Sequence, residues 1–367
     1  MKRTSLTHYC GALALGLSLL GAVAKADGAG AVYTMDNAAG ANHVLVFQRG
    51  ENGELTGAGS FATGGMGAGT GLSSQGSVLL SRDSHWLFVC NPGSSEISVL
   101  AASANGLVLT DRVPSGGQMP LSLALRHNLL YVLNAGGSAG DKDNITAFVF
   151  ANGKLAALPG STQALSADNT GPAQVSFARE GGTLIITERL TSLLDTFTVG
   201  DDGLAADHKV FQSAGTTPFG FDVGRENRLF VSEAATGSAS SYAVSDDGEL
   251  TVISGAVPTK QAAACWLLAS HDGRFVYTAN AGSGSISGYR VGHDGSLELL
   301  DADGRTAVTG DSSHPVDLAQ SRDGRFLYCL ANGNGTLNAF QVKANGSLEP
   351  VMAVSGIPTS AAGLAGH

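Results

Sequence analysis

Cysteine is scarce in this chain: four in 367 residues, at positions 10, 90, 265 and 329. The last three each lie in an apolar run. An odd, sparse set in such settings excludes a disulfide framework and reads as small buried side chains. HExxH, EF-hand spacing and Cys/His clusters are missing, which excludes the common ready-made metal centres. Charged residues make up only 14% and the formal net charge is −10. With no basic footprint, nucleic acid is excluded as a partner. Long apolar runs are confined to the first residues. Lys2 and Arg3 precede an apolar stretch at 9–23, and Ala24-Lys25-Ala26 offers a small-residue cleavage site before Asp27. That is the pattern of an export leader, 1–26, and the run is too short to span a bilayer comfortably. Its removal takes away three basic residues and no acidic one, leaving 18 against 31. The processed chain, 27–367, is expected to be periplasmic or secreted, with no membrane span.

Glycine is what the chain has in abundance, 51 residues, and it is distributed periodically. The stretch 270–300, SHDGRFVYTANAGSGSISGYRVGHDGSLELL, returns as SRDGRFLYCLANGNGTLNAFQVKANGSLEP at 321–350. Each is three short apolar runs joined by Gly-rich turns, an antiparallel meander. An Asn-Gly or Asp-Gly pair recurs at Asn52, Asn105, Asn152, Asp202, Asp247, Asp294 and Asn345, spaced 45–53 residues apart. These pairs suit type I′ turns, with positive φ at both central residues. Upstream of each lies a run close to Tyr-Val-x-Asn, such as Tyr131-Val132-Leu133-Asn134 and Tyr277-Thr278-Ala279-Asn280. Seven repeats of this period predict an array of blades. The first unit lacks an innermost strand and the tail 357–366 belongs to no unit, so the tail is expected to complete the first. The fold class is therefore all-β: a seven-bladed β-propeller closed by N- and C-terminal strands in one blade.

Two loops stand out. Residues 57–77 contain Gly67-Ala68-Gly69-Thr70-Gly71, a superficial phosphate-loop pattern without the following helix it needs. Residues 135–144 contain Gly136-Gly137-Ser138-Ala139-Gly140, a nucleophile-elbow pattern followed by a strand where a helix is required. Both read as plain loops.

The repeated DGRF and Tyr-x-x-Asn units, the seven blades and the tail Ala361-Ala362-Gly363-Leu364-Ala365-Gly366 resemble the lactonase-type seven-bladed propeller family. Its members include a 6-phosphogluconolactonase and carboxymuconate-lactonising enzymes. The resemblance implies a small lactone or sugar acid as ligand. It also implies a histidine at the start of a middle blade's innermost strand and an acidic residue ending the next strand. Glu188 matches the acid, whereas Gln174 stands in the strand where the family places histidine. An exported chain points away from a phosphorylated cytosolic substrate.

In a propeller, sites form where innermost strands begin and second strands end. The second strands should deliver a polar ring there: Asp36, Asn91, Asn134, Glu188, Glu233 and Asn280. Lactone hydrolysis needs an activated water and a stabilised oxyanion. The catalytic candidates are Glu188 as base, Arg189 as the polarising group, and Glu233. The substrate-binding candidates are Gln174, Asn134, Asn280, Trp266 and His314. The bland alternative is that Asn and Glu here only bond turn backbone, that Trp266 is packing, and that Cys265 is no nucleophile. No cofactor is expected, calcium being the alternative that the oxygen-rich ring admits. The rival functions are a non-catalytic envelope or surface binding propeller of the YVTN-repeat type, and a lactone-forming cyclase. The cyclase needs paired arginines, for which only Arg189 and Arg179 are placed.

Overall fold

The computed structural model describes residues 29–136, 142–178 and 182–367. The expected leader, most of the 136–140 glycine pattern and Arg179 lie outside them. Seven antiparallel sheets follow one another around an axis, two of them with one extra two-residue strand. Six are built from consecutive strands. Blade 1 combines Gly30–Met35, His43–Arg49 and Leu55–Ala62 with the C-terminal strand Ala362–Gly366, which pairs Val32 with Gly366 and Met35 with Ala362. The tail thus supplies the missing innermost strand, and the closure removes the free edges of an open array. Among the described residues the only helical element is a 3-10 turn, Arg225–Asn227.

Both faces of each blade pack on neighbours, so second strands are buried end to end, as in Phe275–Asn280 and Phe326–Ala331. That explains their continuous apolar runs in place of alternation. The two repeating landmarks meet across blades. Tyr131 of blade 3 donates its hydroxyl to Gly203 O (2.8 Å) in the blade 4 turn, and Tyr277 of blade 6 to Gly346 O (2.9 Å) in the blade 7 turn. Tyr328 of blade 7 reaches Gly53 O of blade 1 at 3.4 Å. Each tyrosine is an apolar body with one polar tip, and the turn carbonyl satisfies that tip inside the interface. The turns are not the expected type I′ as a class. Only Asn152-Gly153 has both φ values positive; at Gly53, Gly106, Gly203, Gly248, Gly295 and Gly346 the glycine alone does. Bonds such as Gly53 N to Gly50 O and Gly50 N to Glu54 O describe a type I turn closed by a left-handed glycine, the common three-residue hairpin. Replacing Tyr277 by phenylalanine leaves the Gly346 carbonyl buried without its donor. The expected cost is about 1–2 kcal/mol, read as a midpoint shift in urea with an unchanged m-value.

The inner edges of the blades have no strand partner, and side chains take that place. Ser122 Oγ of blade 3 accepts from Val175 N of blade 4 (3.1 Å). Gln174 of blade 4 accepts from Phe221 N (2.7 Å) and donates to Phe221 O (2.9 Å) of blade 5. Asp222 of blade 5 accepts from Ala269 N of blade 6 (2.9 Å). Asp317 of blade 7 bonds Leu364 N of the closing strand. Backbone groups facing the axis would otherwise be buried without partners, so these polar residues stitch each blade to the next.

Candidate functional site

The face on which innermost strands begin gathers Arg189, Phe219, Cys265 and Trp266. Arg189 follows the second strand of blade 4, Thr183–Glu188. Its Nε donates to Gly171 O (2.9 Å) and its Cζ lies 5.4 Å from the centre of the Phe219 ring. Phe219 packs on Trp266 at 4.7 Å, tilted by 58°. Among the described residues Arg189 makes no ion pair. Burial pushes its pKa down, opposed by Cys265 and Asp143, and a guanidinium still remains a cation at neutral pH. The result is a half-buried cation on an aromatic platform at the channel mouth, with Leu190 exposed beside it. Such a platform holds the guanidinium plane by cation–π contact and leaves its fork for a carboxylate or a developing oxyanion.

The other expected site residues, Trp266 apart, are placed elsewhere. Glu188 and Glu233 do not face the channel. Both are fully buried and tie the loop that enters their own blade. Glu188 accepts from Ser166 N (3.0 Å), Ser166 Oγ (2.5 Å) and Thr191 Oγ1 (2.6 Å). Glu233 accepts from Ser213 Oγ (2.7 Å) and Ser240 Oγ (3.0 Å). Asn134 donates to Ser115 O and Asn144 Oδ1, and Asn280 to Ser285 Oγ and Ser287 Oγ. Asn91 accepts from Thr63 Oγ1 and Asn42 Nδ2, and Asp36 caps the turn to His43. The polar ring is therefore a ring of loop clamps. Gln174 commits both amide atoms to the Phe221 backbone. Trp266 is buried, with its indole N–H on Ser74 O at 2.8 Å. His314 is exposed at the rim with φ +44° before Pro315, and among the described residues no hydrogen bond or ring contact joins it to Arg189, Phe219 or Trp266. Cys90, Cys265 and Cys329 are free. Burial pushes the Cys265 thiol up to about 12, the nearby Arg189 only partly offsetting it, so it is not a thiolate at neutral pH.

Glu188 has unusual company. Asp195, also fully buried, lies beside it on the same face of blade 4, and His208 Nε2 stands 3.2 Å from Asp195 Oδ2. His208 stacks flat on Phe197 at 4.2 Å. Burial, then the Asp195 carboxyl, raise the Glu188 pKa to about 7, against the lowering by Ser166 and Thr191. Burial also raises Glu233. The sequence did carry a sign of the clamps. Thr63-Gly64-Gly65, Ser115-Gly116-Gly117 and Ser213-Ala214-Gly215 precede innermost strands, and their last glycines lie directly against Asn91, Asn134 and Glu233.

Among the described residues no group of three or more His, Cys, Asp or Glu could hold a metal ion, and no helix is long and apolar enough to cross a membrane.

A search of curated protein sequences returns no match. Solved structures share the architecture. A candidate 6-phosphogluconolactonase from Bacteroides uniformis aligns with a TM-score of 0.73 at 18% identity, over 90% of this chain and 98% of that one. A second, from Bacteroides fragilis, gives 0.71 at 16%, over 92% and 98%. The periplasmic gluconolactonase of Pseudomonas aeruginosa gives 0.69 at 16%, over 91% and 98%. At these identities the likeness is one of fold. The family model "Lactonase, 7-bladed beta-propeller" matches residues 30–164 and 223–354. The interval between the two matches holds Gln174, Glu188 and Arg189. With most of the chain matched on both sides of that interval, the protein belongs to the seven-bladed β-propeller lactonase family.

Proposed function

We propose that this propeller hydrolyses a small lactone at the channel mouth, with Arg189 as the catalytic residue. The observation that carries the reading is the Arg189 guanidinium, in no ion pair among the described residues, over Phe219 beside Trp266. The lactone ring lies on the rim beside Arg189 and the exposed Leu190, and its carbonyl oxygen faces the guanidinium. Water adds to the carbonyl carbon, and negative charge builds on the oxygen opposite Arg189, where a fixed cation in a partly dry site is most effective. The ring C–O bond then breaks. The proton released from water ends on the ring alkoxide by way of solvent at the open mouth. The product is a hydroxy acid whose carboxylate still faces Arg189. Glu188 and Glu233 act as positioning residues: Glu188 holds Ser166 and Thr191, and with them the strand end from which Arg189 projects.

The test is a panel of five- and six-membered lactones, followed by acid release above the spontaneous rate. Turnover of bare-ring aldonolactones is expected. A panel no faster than buffer sinks the proposal. Glu188→Gln keeps the clamp with a neutral isostere, so its kcat/KM should stay within about threefold of wild type. A loss of about a hundredfold or more would restore Glu188 as the base.

The same reading includes export. The leader at 1–26 and the likeness to a periplasmic gluconolactonase support it. Expressed in a Gram-negative host, the protein should be recovered from the periplasm or medium with Asp27 as its first residue by N-terminal sequencing. An intact Met1 on the folded protein would refute it.

A further inference from the structure

The innermost strand of blade 2 is only three residues long, Val78–Leu80, whereas those of blades 3 to 7 run to six or seven. The residues that should begin it leave the sheet and cross the channel. Ser74 Oγ donates to Leu121 O of blade 3 (2.8 Å). Gln75 N donates to Ala173 O of blade 4 (3.1 Å), and Gly76 O accepts from Leu123 N (2.9 Å). The Gln75 side chain reaches blade 6, donating to Leu267 O (2.7 Å) and accepting from Leu267 N (3.0 Å). These are the two bonds that Gln174 makes to Phe221 one blade earlier. Blade 5 cannot make them, because it has Gly220 where blade 4 has Gln174. A Cβ on Gly220 would stand 2.1 Å from Gln75 Oε1, so the amide occupies the place of the side chain that blade 5 lacks.

The crossing segment has two faces. Below it lies a cavity of about 280 Å³ lined by Gln75, Gly76, Ser176, His271, Asp317 and Gln320. Above it, Ser74 O holds the Trp266 indole, Trp266 packs on Phe219, and Phe219 lies under Arg189.

We propose that residues 74–76 are the floor of the ligand mouth and determine its specificity. They seal it from the lower cavity and limit the substrate to a bare lactone ring whose substituents stay above Trp266. This rests on the mouth being the lactone site. Gln75 and Ser74 touch no reacting atom; they are positioning residues that act through Trp266. A lactone with an acyl tail cannot thread past the floor, whereas a short polyhydroxylated ring has no need to.

The experiment reads the floor and the specificity separately. Trp86 and Trp266 are the only tryptophans, so in a Trp86→Phe background acrylamide quenching reports on Trp266 alone. Gln75→Ala removes the stitch, and Gly220→Ala displaces it, its Cβ standing 2.1 Å from Gln75 Oε1 and 2.9 Å from Cys265 O and Trp266 Cα. Quenching should be weak in the parent and rise severalfold in both variants, while kcat/KM for acyl-tailed lactones rises relative to the bare ring. Gln75→Asn, which keeps an amide of shorter reach, should fall between and serves if the others do not fold. Unchanged quenching in folded variants overturns the floor. Raised quenching with an unchanged substrate ratio overturns its role in specificity. If no lactone is turned over by any variant, the reading of the mouth fails, and quenching still decides the floor.

Discussion

Arg189→Met is expected to lower kcat/KM for lactones by about 10²- to 10³-fold, the range for removing one preorganised oxyanion partner. Methionine retains the apolar contact with Phe219 and removes only the charge and the fork. The Nε bond to Gly171 O is lost as well, which costs about 1 kcal/mol of stability. The variant should therefore remain folded, and the loss should appear chiefly in kcat. Arg189→Lys should fall between: it restores a charge but neither the planar fork nor the stacking on Phe219. Product inhibition offers an independent reading, since the hydroxy-acid carboxylate faces the same guanidinium and should bind the methionine variant more weakly. A methionine variant within about threefold of wild type would remove Arg189 from the mechanism.

Stability should fall as pH rises from about 4.5 to 7 and level off above that, through Glu188. Its pKa is raised in the folded protein to about 7 from an ordinary 4.5. Between those values the folded chain keeps a proton that the unfolded chain releases, so raising the pH favours unfolding. Below 4.5 both states are protonated and above 7 both are ionised, so the slope vanishes at either end. Burial raises Glu233 and Asp317 as well, and both act in the same direction. The surface carboxyls Asp272 and Asp323 are held low by serine and arginine neighbours, and their contribution is lost in more acid solution instead.

Glu188→Gln isolates the buried term. Its amide oxygen can accept from Ser166 N, and its amide nitrogen can donate to Asp195, so the clamp survives without an ionisation. Melting curves across the range should coincide for the two proteins near pH 4.5 and diverge by several degrees by pH 8, with the glutamine variant the more stable. Parallel curves would mean that Glu188 does not titrate in this window. Asp195 lies beside Glu188 and His208 Nε2 stands 3.2 Å from Asp195 Oδ2, and Asp195→Asn should bring Glu188 back toward its ordinary value by removing the neighbouring carboxyl.

What could be read from residues alone was the architecture. Seven Asn/Asp-Gly pairs at a nearly constant interval, each downstream of a Tyr-Val-x-Asn-like run, determined the number of blades. The missing first strand and the orphan tail determined the closure. These are local facts about turns and periods, and they need no knowledge of packing. Even so, the turn type differed, because a left-handed glycine after a type I turn satisfies the same Asn-Gly or Asp-Gly pair.

The site was decided by tertiary structure. In a strand buried on both faces, the hydropathy pattern does not say which face a polar residue takes, and no alternation exposes the parity. Glu188 and Glu233 stand at the ends of such strands, and their inward or sideways course depended on Ser166 and Ser213, which lie 22 and 20 residues upstream. Gln174 is polar and beside the axis, yet unpaired backbone groups on the next blade claim its amide, because an inner strand edge has no other partner. The same demand at blade 6 drew Gln75 across the channel to fill the place left by Gly220. Arg189 was legible as a candidate because it is a cation next to a landmark acid. That it meets Phe219, itself packed on Trp266, at the mouth follows from how three blades converge.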